Sequence, residues 1–373
     1  MVSNPLKFLK FETPGRDLLK NRDAPGPETG NVWKWRLFVP VFMIRGNFMN
    51  LPSPVIIATR GSALAMAQAR LILGRFRELY PAMAFEIKIF KTTGDRLQGA
   101  SLTKAGGTLP KGLFTKELEV ALLEGQADLA VHSLKDLPTE LPEGLTLAAT
   151  PEREDVRDVL IYRAETQARP GLKAGINLSG FPAGATVATS STRRKCQIHA
   201  ARPDLNVVEI RGNLATRLKK IAESETLSAT LLAKAGISRL GWVIEPDGFL
   251  AGDGVPAGLQ ATCLDLEVML PCVGQGAIGL EIRCNDPRME QVCAALNHAP
   301  TFHSITAERS LLRSMGGGCL SPLAAHGHVQ GQDILLRAVY FRDGHCRKAS
   351  GRRAVLEAEA LGLELSHPLK ATE

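Results

Sequence analysis

VIIATRGSA, Val55 to Ala63, is a short apolar run delivered into a polar turn, and the alanine-rich stretch that continues from Ala63 keeps helical character to about Leu79. Strand, polar turn and helix in that order open an α/β unit. The order returns further on, where Val187-Ala188-Thr189-Ser190-Ser191 takes the place of Ile57-Ala58-Thr59-Arg60-Gly61-Ser62. Two similar α/β domains facing one cleft account for that echo.

Outward from this unit, Phe85 to Phe90 alternates as a strand, and a polar, glycine-rich loop from Thr92 to Gly112 is long enough to be a functional lid. KGLFTKELE, Lys111 to Glu119, opens a helix that stops at Gly125. ADLAVHSLKDLP, Ala127 to Pro138, reads as a buried strand over Leu129 to Val131 that emerges into His132 to Asp136. Groups just beyond the carboxyl ends of such strands line the ligand crevice. Asp136 is therefore placed for chemistry, although an aspartate capping a helix before Pro138 fits the same letters. The charged stretch Glu152 to Asp158 precedes a strand at Val159 to Tyr162 and marks a domain crossing.

Three strand-turn-helix units then follow, each with polar cargo in its turn. Thr186 to Ala188 feeds ATSSTRRKCQ (188–197), Val207 to Ile210 feeds EIRGNLATRL (209–218), and Ala229 to Leu232 feeds Ala233 to Gly236 and Arg239. Helix N-termini offer unpaired N–H groups, so turns that add hydroxyls and guanidinium forks make anion sites. Ser190, Ser191, Arg193, Arg194, Arg211 and Arg217 cluster by that logic, while surface arginines paired with acids remain the plainer alternative. VGQGAIGLE, Val273 to Glu281, contains G-x-G-x-x-G, but Pro271 precedes it and Ile278 to Ile282 alternates like a strand. It lacks the strand-before, helix-after setting of a dinucleotide site and reads as a crossing between domains, with Gln275 and Gly276 reaching the cleft. From about Leu296 a third unit begins: a helix from Ile305 to about Met315, strands near Ile334 to Phe341, and a helix over Ala354 to Leu365. Within it, SMGGGCLSP, Ser314 to Pro322, presents Cys319 on a glycine turn. An accessible thiol there suits a nucleophile as well as a small apolar residue at a loop edge.

Composition narrows the class. The 373 residues, 45% of them apolar, suffice for two or three domains, and no apolar run approaches the roughly 20 residues of a membrane span. Seven scattered cysteines without a C-x-x-C pair argue against a disulfide framework or a metal site and for a reducing cytosol. Of the net charge of +7, residues 1–50 hold eight Lys and Arg against four Asp and Glu, so the remaining chain is no general phosphate-binding surface. Those first residues, up to about 53, read as a poorly ordered extension with neither a secretory nor a mitochondrial leader.

IATRGSALA, KGLFTKELE, AVHSLKD, TSSTRRKCQ, IRGNLATRL, VGQGA and GGGC, in this order, closely resemble the porphobilinogen deaminase family, from about Val55 to near the C-terminus. The resemblance implies an α/β protein of three domains, the first two periplasmic-binding-protein-like around a central cleft and the third a small α+β domain carrying the cofactor cysteine. Its boundaries would be 54–154 with 274–292, then 155–273, then 293–373. The implied activity is a transferase of heme (tetrapyrrole) biosynthesis that condenses four porphobilinogen molecules head to tail, releases ammonia and yields hydroxymethylbilane. A dipyrromethane cofactor is implied, held by a thioether to Cys319, with Asp136 as catalytic acid/base. Cofactor contacts carried over are Arg60, Ser62, Ser133, Lys135, Thr189, Ser190, Ser191, Arg193, Arg194, Arg211, Gly212 and Gln275. Arg60, Arg211, Arg217 and Arg239 would bind substrate acetate and propionate groups, and Lys104, Lys111 and Phe114 would belong to the lid.

The chemistry suits the arginines, because each pyrrole brings two carboxylates whose mutual repulsion needs cationic partners. The expected protein is a cytoplasmic monomer acting on a small molecule, without nucleic acid or membrane. Departures from the family are Thr108-Leu109-Pro110, which looks inserted in the lid, and Leu227-Ser228, taken as a surface change. A non-catalytic anion-binding module is the alternative; an NAD-dependent oxidoreductase rests only on the misplaced glycine motif.

Overall fold

The apolar run at Val55 forms β1 (Val55–Thr59), and Ser62, whose Oγ accepts from the Ala65 N–H at 3.3 Å, caps α1 (Ala63–Leu79). The computed structural model describes residues 54–96, 112–164, 172–318 and 321–371, all within one unit, Pro54–Glu373. The first stretch continues with β2 (Phe85–Ile89), α2 (Thr93–Arg96), α3 (Lys116–Leu123), β3 (Leu129–Ser133), a 3-10 turn at Leu134–Asp136 and β4 (Leu145–Ala149). The second contains β5 (Asp158–Arg163), β6 (Thr186–Ala188), α4 (Thr192–Ala201), β7 (Asn206–Val208), α5 (Leu214–Glu223), β8 (Ala229–Ala233) and α6 (Lys234–Arg239). It closes with β9 (Val243–Ile244), β10 (Leu250–Ala251) and β11 (Leu259–Cys263). The remainder is β12 (Ile278–Arg283), α7 (Pro287–Ala294), α8 (Ala299–Ser314), β13 (Leu323–Gln330), β14 (Asp333–Arg342), β15 (His345–Ala354) and α9 (Ala358–Lys370).

Two five-stranded sheets share one plan. The first runs β2-β1-β3-β12-β4, with β2, β1 and β3 parallel and β12 antiparallel to both its neighbours. The second runs β7-β6-β8-β5-β11, with β7, β6 and β8 parallel and β5 antiparallel to both its neighbours. In each sheet the antiparallel strand follows the last strand of the other, so the chain crosses between them twice. This is the expected pair of periplasmic-binding-protein-like domains, and it turns the sequence echo at β1 and β6 into equivalent positions.

The glycine motif belongs to one of the crossings. Gly276, at φ +82°, lies so close to the other crossing that a Cβ would meet the Glu154 carbonyl oxygen at 2.5 Å. Gly274, at φ +75°, faces the Lys135 backbone nitrogen at 3.0 Å by the same measure. A side chain at Gly276 would force the crossings apart, and one at Gly274 would push the crossing off the turn after β3.

The third unit is an antiparallel sheet, β13-β14-β15, whose apolar face buries Leu336 and Ala338 against Ala307 and Leu311 of α8 and Leu361 and Leu365 of α9. Glu308 of α8, fully buried, pins this unit to both crossings. Arg153 donates to it at 2.6 and 3.0 Å, and the Gly274 and Gly327 N–H groups each donate at 2.8 Å. Four donors on one buried carboxylate satisfy the hydrogen-bonding capacity that burial takes from water.

Several expectations shift. Helix α8 begins at Ala299 rather than Ile305, because Pro300 sits in its first turn, where a missing N–H costs nothing. Helix α9 runs over Ala358–Lys370 rather than Ala354 to Leu365, since Ala354 still pairs with Asp333 in the sheet. β4, β11 and α7 were not foreseen, nor were the polar strands β13 and β15 that flank the expected one. Leu227 is no surface residue: it packs on the core of the second sheet, and Ser228 Oγ accepts from the Thr186 N–H at 3.3 Å.

Candidate active site

The ends of β1, β3, β6 and β8 and the turns after them converge on one cleft of about 960 Å³, at the upper end of small-molecule sites. From the first sheet come Arg60, Ser62, Ser133, Lys135 and Asp136; from the second come Ser190, Arg194, Arg211, Gly212, Arg217 and Arg239. Residues from the two halves of the sequence echo thus share a cavity. Phe114 joins them, its ring 4.3 Å below the Arg60 guanidinium.

Asp136 closes the 3-10 turn that follows β3 and is half-buried at the cleft wall. Among the described residues its carboxylate has no hydrogen-bond or ion-pair partner, so it is not a helix cap. Next to it, Ser133 exchanges hydrogen bonds with Gln68 at 2.9 and 3.0 Å; Gln68 also lines the cleft, a contact not found from the sequence.

The arginines divide into those with an acid and those without. Arg60 forks onto Asp95, and Arg211 reaches Glu209 at 3.1 Å. Arg194 donates to Asp158 at 2.8 and 3.2 Å and to the Leu231 carbonyl at 2.8 Å. Arg217 donates through Nε to the Gly212 carbonyl at 2.9 Å, and Arg239 through Nη2 to the Gly276 carbonyl at 2.6 Å. Neither meets a carboxylate within ion-pair distance among the described residues. Burial, with Arg194 nearby, lowers the Arg217 pKa to about 10; burial also lowers that of Arg239 to about 10, against a partial offset from Glu154. The Arg239 Nε is buried with no hydrogen-bond partner. Both remain cations at neutral pH, held in a cavity that has not compensated them.

Four residues expected at the cofactor do not line the cleft. Arg193 is buried and donates to Asp158 at 2.7 Å and to the Leu270 carbonyl. Gln275 donates to Asp158 at 2.8 Å and to the Val156 carbonyl at 2.7 Å. Ser191 Oγ accepts from the Arg194 N–H as the cap of α4, and Thr189 Oγ1 accepts from the Ser191 N–H at 3.2 Å. Arg193 and Gln275 form a layer behind the wall, centred on Asp158, while Thr189 and Ser191 order the turn into α4. Burial pushes the Asp158 carboxyl up, but Arg193 and Arg194 outweigh it and hold it well below the usual carboxylate range.

Neither Asp158 nor Asp95 was singled out beforehand. A charge heading the otherwise apolar strand DVLIY was a readable sign of a buried partner.

Cys319, Lys104 and Lys111 lie outside the described residues, as do the first 53 residues and Thr108 to Pro110. Gly318, the residue before Cys319, lines a small crevice with Leu134, Lys135 and Arg309. Lys135 is shared with the main cleft.

Known proteins match this chain over nearly all the described region. A family model described as "Porphobilinogen deaminase, dipyromethane cofactor binding domain" matches residues 55–291, and one described as "Porphobilinogen deaminase, C-terminal domain" matches residues 302–371. The chain is 40% identical over 328 residues to the porphobilinogen deaminase of Geobacter metallireducens, covering 86% of this chain and 92% of that protein. It is 42% identical over 322 residues to that of Pelobacter propionicus, covering 85% and 94%. With that of Thermus thermophilus it shares 42% identity over 316 residues, covering 84% and 94%.

Proposed function

The chain belongs to the porphobilinogen deaminase family, and from that premise we infer how its cleft works. The enzyme is a hydroxymethylbilane synthase: it condenses four porphobilinogen molecules head to tail, releases ammonia at each addition and gives hydroxymethylbilane. Its cofactor is a dipyrromethane, which when bound supplies the pyrrole carbon to which the first substrate is joined.

The residues present suit that group. A dipyrromethane carries several carboxylates, and the cleft holds two guanidinium groups that, among the described residues, have no ion-paired acid, one of them with a buried, unpartnered Nε. Arg217 and Arg239 are the observation that carries the reading, because uncompensated buried cations are costly unless an anion arrives. Ser190, Gly212 and Arg211 stand beside them at the second sheet; Ser62, Ser133 and Lys135 stand opposite at the first. In this reading Cys319 carries the cofactor through a thioether, and its chain neighbour Gly318 lines a crevice with Lys135.

Asp136 acts as acid and base. Its carboxylate, unpartnered and at the cleft wall, accepts from a substrate pyrrole N–H, stabilises the positive charge that develops as the amine leaves, and handles the proton released when the new carbon–carbon bond forms. Arginines on both walls hold acetate and propionate groups so that the reacting carbons meet. The proposed domains are 54–154 with 274–292, then 155–273, then 293–373, except that α7, which buries Met289, Val292 and Cys293 in the core of the first sheet, carries the first domain to Ala294. A monomer working in the cytosol suits a cleft whose walls come from one chain.

Asp136→Asn tests the assignment. It should fold and carry cofactor, seen as a pink colour with Ehrlich's reagent in acid and as added mass that Cys319→Ser lacks. Its turnover should fall about 100-fold or more. Near-normal turnover would exclude Asp136 as the acid/base.

A further inference from the structure

The arginines that line the cleft are not treated alike: Arg194 is forked onto the buried Asp158, whereas Arg60 is engaged by a part-exposed acid that is itself held in place. Its Nε donates to Asp95 Oδ2 at 3.3 Å and its Nη2 donates to Oδ1, the two-pronged geometry that a bound carboxylate would adopt. The Phe114 ring covers one face of the guanidinium. Asp95 is fixed by Thr92, whose Oγ1 donates to Oδ2 at 2.7 Å and whose N–H donates at 3.4 Å. The turn that bears it is tied down in turn: the Gly94 N–H donates to the Leu113 carbonyl at 2.9 Å, and a Cβ at Gly94 would lie 2.1 Å from the Phe114 ring. Yet the pair is not sealed, with side-chain exposures of 18% and 21%.

We propose that Asp95 is a built-in competitor at Arg60: its carboxylate occupies the guanidinium fork until a substrate carboxylate takes that place. The inference rests on the function given above and adds a residue that sets affinity and selectivity. Exchange of one carboxylate for another leaves Arg60 paired throughout, and the displaced Asp95 keeps the hydroxyl and amide of Thr92. Apparent affinity is reduced by the fraction of molecules whose Arg60 is free, so Asp95 weakens every ligand somewhat. A ligand without a carboxylate at this point cannot open the pair at all, which makes the contact a filter for acidic side chains. Arg217 and Arg239, which have no such competitor among the described residues, attract carboxylates without discriminating in this way.

Asp95→Asn keeps an oxygen for Thr92 and removes the competing charge. In the full-length protein, KM for porphobilinogen and the calorimetric dissociation constant for succinate, a non-reacting dicarboxylate, should both fall roughly two- to fivefold. Asp95→Glu should return both toward wild type, and in an Arg60→Gln background the Asn substitution should change neither. The proposal is overturned if Asp95→Asn melts like wild type and both constants stay the same or rise. It is equally overturned if the fall persists without Arg60. Should Asp95→Asn fail to fold, Thr92→Ser and Thr92→Val separate the cases: Val, which withdraws the hydroxyl holding Asp95, should tighten succinate binding, and Ser should not. A wild type that turns over no porphobilinogen, while Asp95→Asn still binds succinate more tightly, would remove the functional reading and leave the competitor standing.

Discussion

Arg193 and Arg194 in α4, and Arg217 and Arg239 in α5 and α6, are residues of one type near the same edge of one sheet, yet they end in opposite states. The first two converge on Asp158, heading β5, and donate to it and to the Leu270 and Leu231 carbonyls, with only the Arg193 Nε left over. The second two each give one donor to a backbone carbonyl and keep the rest for the cleft. What separates them is one aspartate at the head of β5, the antiparallel strand of the same sheet. A guanidinium tied to Asp158 is held in place; one with no carboxylate partner among the described residues, as at Arg217 and Arg239, is left to a ligand.

Removing the aspartate should erase the difference at the largest cost. Asp158→Asn leaves two buried cations without their counterion, and losing one partner of a buried pair costs about 3–5 kcal/mol. Denaturant unfolding should show a loss of at least this order, or no folded protein. A loss below 1 kcal/mol would mean that Asp158 is not the hub. Arg217→Gln should do the reverse. It removes an uncompensated buried cation, so the melting temperature of the empty protein should not fall, while KM rises about 10- to 100-fold for the loss of a charged hydrogen bond, roughly 1.5–3 kcal/mol. A lower melting temperature with unchanged KM would place Arg217 in the wall.

This division also marks how far the sequence could be read. The strand-turn-helix units and the β1–β6 echo were legible because apolar runs and turn residues are local signals, and the turns did deliver Arg60, Arg211, Arg217 and Arg239 to one cavity. Which arginine would meet an acid was not legible. Arg193 and Arg217 stand in similar turns, and the deciding carboxylate lies 35 residues away from Arg193 along the chain. Asp95 was hidden for a related reason, since its fork onto Arg60 also spans 35 residues. In the third unit, β15 was missed because HCRKASGRRA sets only Ala349 and Gly351 against the core, with Arg347 and Arg353 on the same face reaching α9, so its apolar alternation is faint.

Acid gives the smallest effect and separates the hub from the rest of the interior. His326 on β13 is largely enclosed, and burial lowers its pKa to about 4, with Arg153, Arg337 and His328 adding to the shift and Glu308 opposing it. An unfolded histidine titrates near 6.5. Between pH 6.5 and 4 the unfolded chain therefore binds a proton that the folded one refuses, so stability falls as pH falls through that window and levels off below it. Asp158 behaves otherwise: its folded pKa is held below the usual range, so the stability it contributes is present above about 3.9 and is lost only as pH drops further. From pH 7 to 4.5 the wild type should lose about 1–3 kcal/mol through His326, and His326→Gln should flatten the profile by that amount. An unchanged slope in His326→Gln would place the acid-sensitive step elsewhere; if that slope then vanished in a folded Asp158→Asn, the hub would be failing at mild pH and its arginines would be no better held than Arg217.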